Sequence, residues 1–285
     1  MIDLHTHTNA SDGDYAPEEL IDIAISKGIT TIAITDHDNI DGIERAYNYV
    51  QGKDIELVPG IELSAHVSKG EMHILGLFLN FKDEVFQNYI NELKAKRDYR
   101  NIRFIELFNE MGYDITIEDL KEISGGKIIG KPHFVKWFVN HGYFKENEEV
   151  YSKYFNQSPF KEIKRKTYEA DDIIRHIKAN GGLAILAHPQ SLELSFEELR
   201  KKLQELKSYG LDGLECYHSN QTSEEMIEFK KIAGELDLLI SKGSDYHGPK
   251  VKKDIALGTG IDGNILIDEN IENEIINKMK ERLRK

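Results

Sequence analysis

Nine residues of this 285-residue chain combine a type that binds divalent metals with a recurring place in its pattern: His5, His7, Asp12, His37, Glu62, His73, His188, Asp245 and His247. His5-x-His7 in an extended strand puts both imidazoles on one face, because side chains alternate with period two. One metal can then take both, and Asp245-Tyr-His247 repeats the spacing. Mixed imidazole and carboxylate ligands suit Zn²⁺, Mn²⁺ or Fe²⁺. Such ions a few ångströms apart could ionise a bridging water, polarise a phosphoryl oxygen and steady a leaving oxygen. The single cysteine, Cys216, leaves no paired thiols for a zinc finger. It also sits in no Cys–His nucleophile motif, so packing is the plainer reading. A lone histidine is more often a surface or core residue than a ligand. On that ground His66, His141 and His176 are set aside, the last between Arg175 and Ile177 in the middle of a helical stretch.

The residues are spread from position 5 to 247, so the elements between must gather them. Residues 1–7 read as a strand, and 17–27 as a helix with Pro17 in its first turn and Gly28 past its end. The run ITTIAIT at 29–35 reads as a strand buried on both faces. A helix at 41–50 and strands at 55–63 and 71–79 follow. From 82 to 165 the rhythm changes. A long helical stretch covers 83–111, the box Thr116/Asp119 opens a short helix, and another starts at Pro132 and ends by Gly142. This interval is expected to be a mostly helical insertion. Alternation resumes with a helix at 169–179 and strand 183–187. Helix 196–209 opens with the box Ser195/Glu198. Strand 211–217, a helix behind Thr222/Glu225, strand 238–242 and a charged closing helix complete the chain. The expected divisions are 1–81 and 166–285 for one α/β barrel, interrupted by 82–165. About seven strands separated by helices argue for a β/α barrel, in which strand ends converge on one mouth.

Composition narrows the function. The formal net charge of −13 argues against a grip on duplex DNA. No apolar run approaches the ~18–20 residues needed to span a bilayer. No basic start with an apolar run marks a signal peptide. With one cysteine, these features point to the reducing cytoplasm. Nothing resembles GxSxG or a P-loop, and oligomeric state leaves no mark.

The segments DLHTHTNASDG, ITDHD, PGIE, the strand of His73, AHP and GSDYHG together resemble the PHP family (polymerase and histidinol phosphatase) from residue 1 to about 260. The resemblance implies a distorted seven-stranded β/α barrel holding up to three metals. It implies His5, His7, Glu62 and Asp245 around the first metal. Glu62 would bridge to a second, held also by His73 and His188, and Asp12, His37 and His247 would hold the third. SDG after HTHT, the helical insertion and GKPH resemble the branch that removes the 3′-phosphate of nucleoside 3′,5′-bisphosphates, some members of which degrade short RNA from the 5′ end. Asp12 stands where histidinol phosphatases of the family more often carry His.

Ile129-Gly130-Lys131-Pro132-His133 precedes a helix, whose N-terminus offers free N–H groups and partial positive charge. Lys131 and His133 are expected to clamp a substrate phosphate over the barrel mouth, the plainer alternative being a solvated cap. The related branch usually has Arg at Lys131, and Lys cannot make the same fork. Arg97, Arg100 and Arg103 on the long helix read first as a solvated face. Asp36 is expected to orient His37 or act as a base, and His218 to contact substrate or donate a proton. Trp137, Phe134 and Phe138 read as insertion core before base-stacking groups. The expected activity is hydrolysis of phosphate esters of nucleotides by a metal-activated hydroxide. The rivals are a small-metabolite phosphatase of the histidinol-phosphate type, a non-catalytic PHP module that binds a partner, and a barrel hydrolase of non-phosphate substrates.

Overall fold

A computed structural model describes residues 1–125, 129–163 and 168–284, the side chain of Arg97 apart; the boundary expected at 165/166 lies outside them. The elements run β1 (Ile2–Asp3), α1 (Pro17–Ser26), β2 (Thr31–Ile34), α2 (Asp41–Tyr49), β3 (Glu56–Ala65), β4 (Met72–Leu77) and α3 (Glu84–Glu110). Then come α4 (Ile117–Ser124), α5 (Lys131–Asn140), α6 (Asn147–Val150), α7 (Ala170–Ala179), β5 (Leu183–Leu186) and α8 (Phe196–Tyr209). They end with β6 (Gly213–His218), α9 (Ser223–Glu235), β7 (Leu239–Gly243) and α10 (Glu269–Arg282). The chain divides into two compact units, residues 1–90 with 168–285 and residues 91–167. No helix among the described residues is long and apolar enough to cross a membrane.

In the first unit the seven strands stand in sequence order. β2 and β5 are buried along their whole length, as apolar strands covered on both faces must be. The β1–β2–β3 and β5–β6–β7 pairings are parallel, but β4 runs antiparallel to both its neighbours. The link from Ala65 to Met72 is too short for a crossover, which takes about a dozen residues. The reversal puts the first residues of β4 beside the last of β3, with His73 paired to Ser64.

The two end strands meet beyond their regular parts. Leu4 N–H donates to Lys242 O at 3.0 Å, Asp245 N–H to His5 O at 2.8 Å and His7 N–H to Tyr246 O at 2.9 Å. The fully buried Asp3 seals this seam, accepting from Ser244 N–H at 2.9 Å, Gly258 N–H at 2.7 Å and the Ser244 hydroxyl. Gly243 is required here: a Cβ on it would lie 2.2 Å from the His5 Cβ.

Several helices start where short polar side chains predict. Thr116, Ser195 and Thr222 cap α4, α8 and α9, each with an acidic residue three positions on closing the box. The second unit is helical with an aromatic core of Phe104, Phe108, Phe134, Trp137, Phe138 and Phe155. Trp137, Phe134 and Phe138 are thus packed inside it.

Candidate metal centre

Glu62, on β3 and almost fully buried, is the hub of the strand ends. Its Oε1 lies 2.8 Å from His73 Nδ1 and 2.9 Å from His188 Nε2. Its Oε2 lies 2.9 Å from His37 Nδ1, 3.3 Å from His7 Nε2 and 3.4 Å from His5 Nε2. One carboxylate thus presents each oxygen to a different set of imidazoles, the arrangement a bridging ligand needs. Asp245 completes the first set, with Oδ1 at 3.2 Å from His7 Nε2 and 3.6 Å from His5 Nε2. A third set gathers on the half-exposed Asp12: His247 Nε2 at 3.3 Å, with His37 Nε2 and His7 Nδ1 each at 3.8 Å.

Each side chain owes its place to an element. His5 and His7 follow β1 with two-residue spacing, so both turn inward. His37 follows β2, and the parallel pairing with β3 extends far enough to bring it beside Glu62. His73 reaches the same mouth only because β4 is reversed. His188 and Asp245 sit at φ of 25° and 57°, left-handed backbone that costs energy away from glycine.

The electrostatics are those of buried carboxylates packed against imidazoles. Burial alone would raise Glu62, but His37, His73 and His5 draw it well below the usual carboxylate range. Burial likewise opposes the ionised form of Asp245, and His5, His218 and His7 more than offset it. Against burial, Glu215 first and then Glu62 and Asp245 lift His5 well above its usual value. Even so, His5 Nε2, both ring nitrogens of His7 and Glu62 Oε2 are buried with no well-formed hydrogen bond among the described residues. Orphaned buried polar atoms are costly. Nitrogen and oxygen donors converging within 4.8 Å of one another remove that cost when they share a divalent cation. The donor set therefore fits metal.

Asp36 is buried, and its oxygens accept from Thr8 N–H at 2.8 Å, the Thr8 hydroxyl at 2.7 Å and the Ser11 hydroxyl at 2.6 Å. It holds the loop that carries Asp12, and no bond to His37 accompanies these. His218 faces the centre, with Nε2 at 3.5 Å from Asp245 Oδ2, while Gln190 and the Asn220 N–H secure its Nδ1. A bulge between Glu215 and Tyr217 turns it inward.

Lys131 and His133 lie in the second unit, at the start of α5. His133 Nδ1 accepts the Gly130 N–H at 2.9 Å and so caps the helix. The Lys131 ammonium stands 5.4 Å from the Phe155 ring, and its pKa is lowered by burial and by the neighbouring Arg100. Arg103 is paired with Glu106.

Two residues beside the centre escaped the sequence reading. Glu215 is fully buried against His5, and Lys252 binds Asp245 Oδ2. The available signal for Glu215 was a charge inside the apolar strand GLECYH. Lys252 is one of several lysines after GSDYHG, and nothing in the sequence distinguishes it.

Comparison with known proteins identifies the family. The chain is 30% identical over 247 residues to a 5′-3′ exoribonuclease of Haemophilus influenzae, covering 87% of this chain and 90% of that protein. It is 25% identical over 256 residues to a 3′,5′-nucleoside bisphosphate phosphatase of Chromobacterium violaceum, covering 87% of each. A solved structure from Bifidobacterium adolescentis, described as a candidate metal-dependent phosphoesterase, superposes with a TM-score of 0.78. It is 27% identical and spans 97% of this chain and 96% of its own. The sequence profile of the PHP domain matches residues 3–257, and the chain belongs to that family.

Proposed function

We propose that this chain hydrolyses phosphate esters of nucleotides, with the 3′-phosphate of nucleoside 3′,5′-bisphosphates as its first substrate and short 5′-phosphorylated RNA as its second. The observation that carries the reading is Glu62, split between two sets of imidazoles with orphaned nitrogen and oxygen atoms around it. His5, His7, Glu62 and Asp245 would hold one ion, Glu62, His73 and His188 a second, and Asp12, His37 and His247 a third. Bound divalent metals supply an acidified water and a Lewis acid for the phosphoryl oxygens. The protein's own part is placement. Asp36 fixes the Asp12 loop, and the strand ends aim the imidazoles at Glu62. His218, secured at Nδ1 by Gln190 and Asn220, presents Nε2 toward the centre, where it can hold a proton near the leaving oxygen.

Nucleotide substrates are favoured by three further facts. The two curated relatives act on RNA and on nucleoside bisphosphates by their names. Lys131 and Arg100 lie close enough to oppose each other's charge, which a phosphate between them would relieve. Residues 91–167 carry 15 Lys and Arg against 12 Asp and Glu, while the rest of the chain carries 22 against 38.

The test is phosphate release with added Mn²⁺, comparing adenosine 3′,5′-bisphosphate with histidinol phosphate. A kcat/KM preference for the bisphosphate of about a hundredfold or more is expected, a discrimination worth about 2.7 kcal/mol. The opposite preference makes the chain a small-metabolite phosphatase. His188→Ala should lose bound metal and turnover together, and full activity in that variant would remove it from the centre.

A further inference from the structure

Glu215 lies on β6 and is fully buried, yet among the described residues it is bound to no lysine or arginine. Its Oε1 lies 3.0 Å from His5 Nδ1, and its Oε2 accepts the backbone N–H of His188 at 2.7 Å. His5 and His188 belong to the two different sets of imidazoles on Glu62. The backbone N–H of His188 can only donate, so it claims one oxygen outright. The other oxygen accepts from His5 Nδ1, which must then carry a proton. That leaves His5 Nε2, the nitrogen facing Glu62 and Asp245, with its lone pair toward the centre once a cation is there. Glu215 stands close enough to His5 and His218 to share an ion with them, but it meets His5 at Nδ1, the ring nitrogen turned away from Glu62 and Asp245. Its carboxylate is also hemmed in: a Cβ on Gly243 would lie 2.7 Å from Oε1.

We infer that Glu215 is a positioning residue, whose carboxylate fixes the His5 tautomer and the His188 backbone together and so sets the geometry of the metal centre. The inference rests on the reading of His5 as a metal ligand. Outer partners of ligating histidines change metal affinity by about 10–100-fold when removed. Here one such partner serves the imidazole of His5, after β1, and the backbone of His188, after β5. His188 is itself held in left-handed conformation.

Glu215→Gln is the informative variant because it keeps the shape and removes one acceptor. The His188 N–H still requires an oxygen, so the new amide must turn its NH₂ toward His5 Nδ1. His5 is then driven to carry its proton on Nε2, where it blocks metal. The experiment is calorimetric titration of the metal-free full chain with Zn²⁺, with circular dichroism to verify folding. Long-range ¹H–¹⁵N NMR of the histidines in the Zn²⁺-loaded protein reports the tautomer. Zn²⁺ affinity at the tightest site is expected to fall about 10–100-fold, with His5 shifted to the Nε2–H form. Glu215→Asp, which keeps a carboxylate on a shorter arm, should recover part of that loss. Unchanged Zn²⁺ affinity in folded Glu215→Gln overturns the inference, even if its melting temperature falls. Should that variant not fold, the Zn²⁺-loaded wild type decides: a proton on His5 Nδ1 supports the role, and its absence overturns it. His5→Ala separates the two levels. If it binds Zn²⁺ as the wild type does, the reading of the centre fails along with the inference. If only Glu215→Gln binds normally, the centre stands and Glu215 has no part in it.

Discussion

His7 shows what the centre costs when no metal is present. Burial pushes its imidazole down, but close contacts with Asp245 and Glu62 outweigh this and carry its pKa from 6.5 to about 9. A group whose folded pKa is raised adds stability that is complete below the unfolded value and is lost as pH climbs through the folded one. The metal-free protein should therefore lose melting temperature between pH 6.5 and about 9. A bound cation replaces the proton, so the Zn²⁺-loaded protein should not show that loss, and loading at neutral pH should release protons. Differential scanning calorimetry at several pH values, with and without EDTA, measures both curves. Parallel curves would mean that His7 holds no proton the metal must displace.

At the scale of elements, the turn before α5 places Lys131 at a helix start, half-buried, beside Arg100 and above the Phe155 ring. An ammonium kept near another cation, with its own pKa lowered, gains most from an anion. Lys131→Ala should raise KM for the bisphosphate about tenfold or more, as loss of a hydrogen bond between charged groups does, with kcat little changed. Steady-state kinetics decides it, and an unchanged KM removes Lys131 from substrate binding. This turn was legible in the sequence because Gly-Lys-Pro has local meaning. So were the caps at Thr116, Ser195 and Thr222, and the metal-competent residues that follow apolar strands. What escaped depends on contacts between distant segments. The direction of β4 follows from a short loop, but its consequence for His73 needs the β3 register. Glu215 becomes significant only when the residues after β1 and β5 are known to meet β6's inner face, and the bulge that turns His218 inward leaves no mark in GLECYH.

The whole molecule is acidic, yet its charge is divided unevenly between its two units. Residues 91–167 hold a net excess of basic side chains, and the remainder holds the chain's entire acidic surplus. The carboxylates of the centre account for only part of that surplus. A phosphorylated oligonucleotide carries a charge on every linkage, so its encounter with such a chain depends on salt. The basic unit attracts it and the acidic remainder repels it, and ions screen both beyond roughly 8 Å at physiological strength. A mononucleotide bisphosphate meets the same fields with fewer charges. If the basic unit contacts the substrate backbone, raising KCl from 50 to about 200 mM should lower kcat/KM for a 5′-phosphorylated oligoribonucleotide several-fold more than for adenosine 3′,5′-bisphosphate. Each phosphate neutralised on a single strand adds about 0.7 to the logarithmic slope. The measurement is kcat/KM against salt for the two substrates under one metal condition. Equal slopes would confine recognition to the phosphates at the centre itself. Activity on the oligonucleotide that rises with salt would mean that the acidic barrel, rather than the basic unit, dominates the approach.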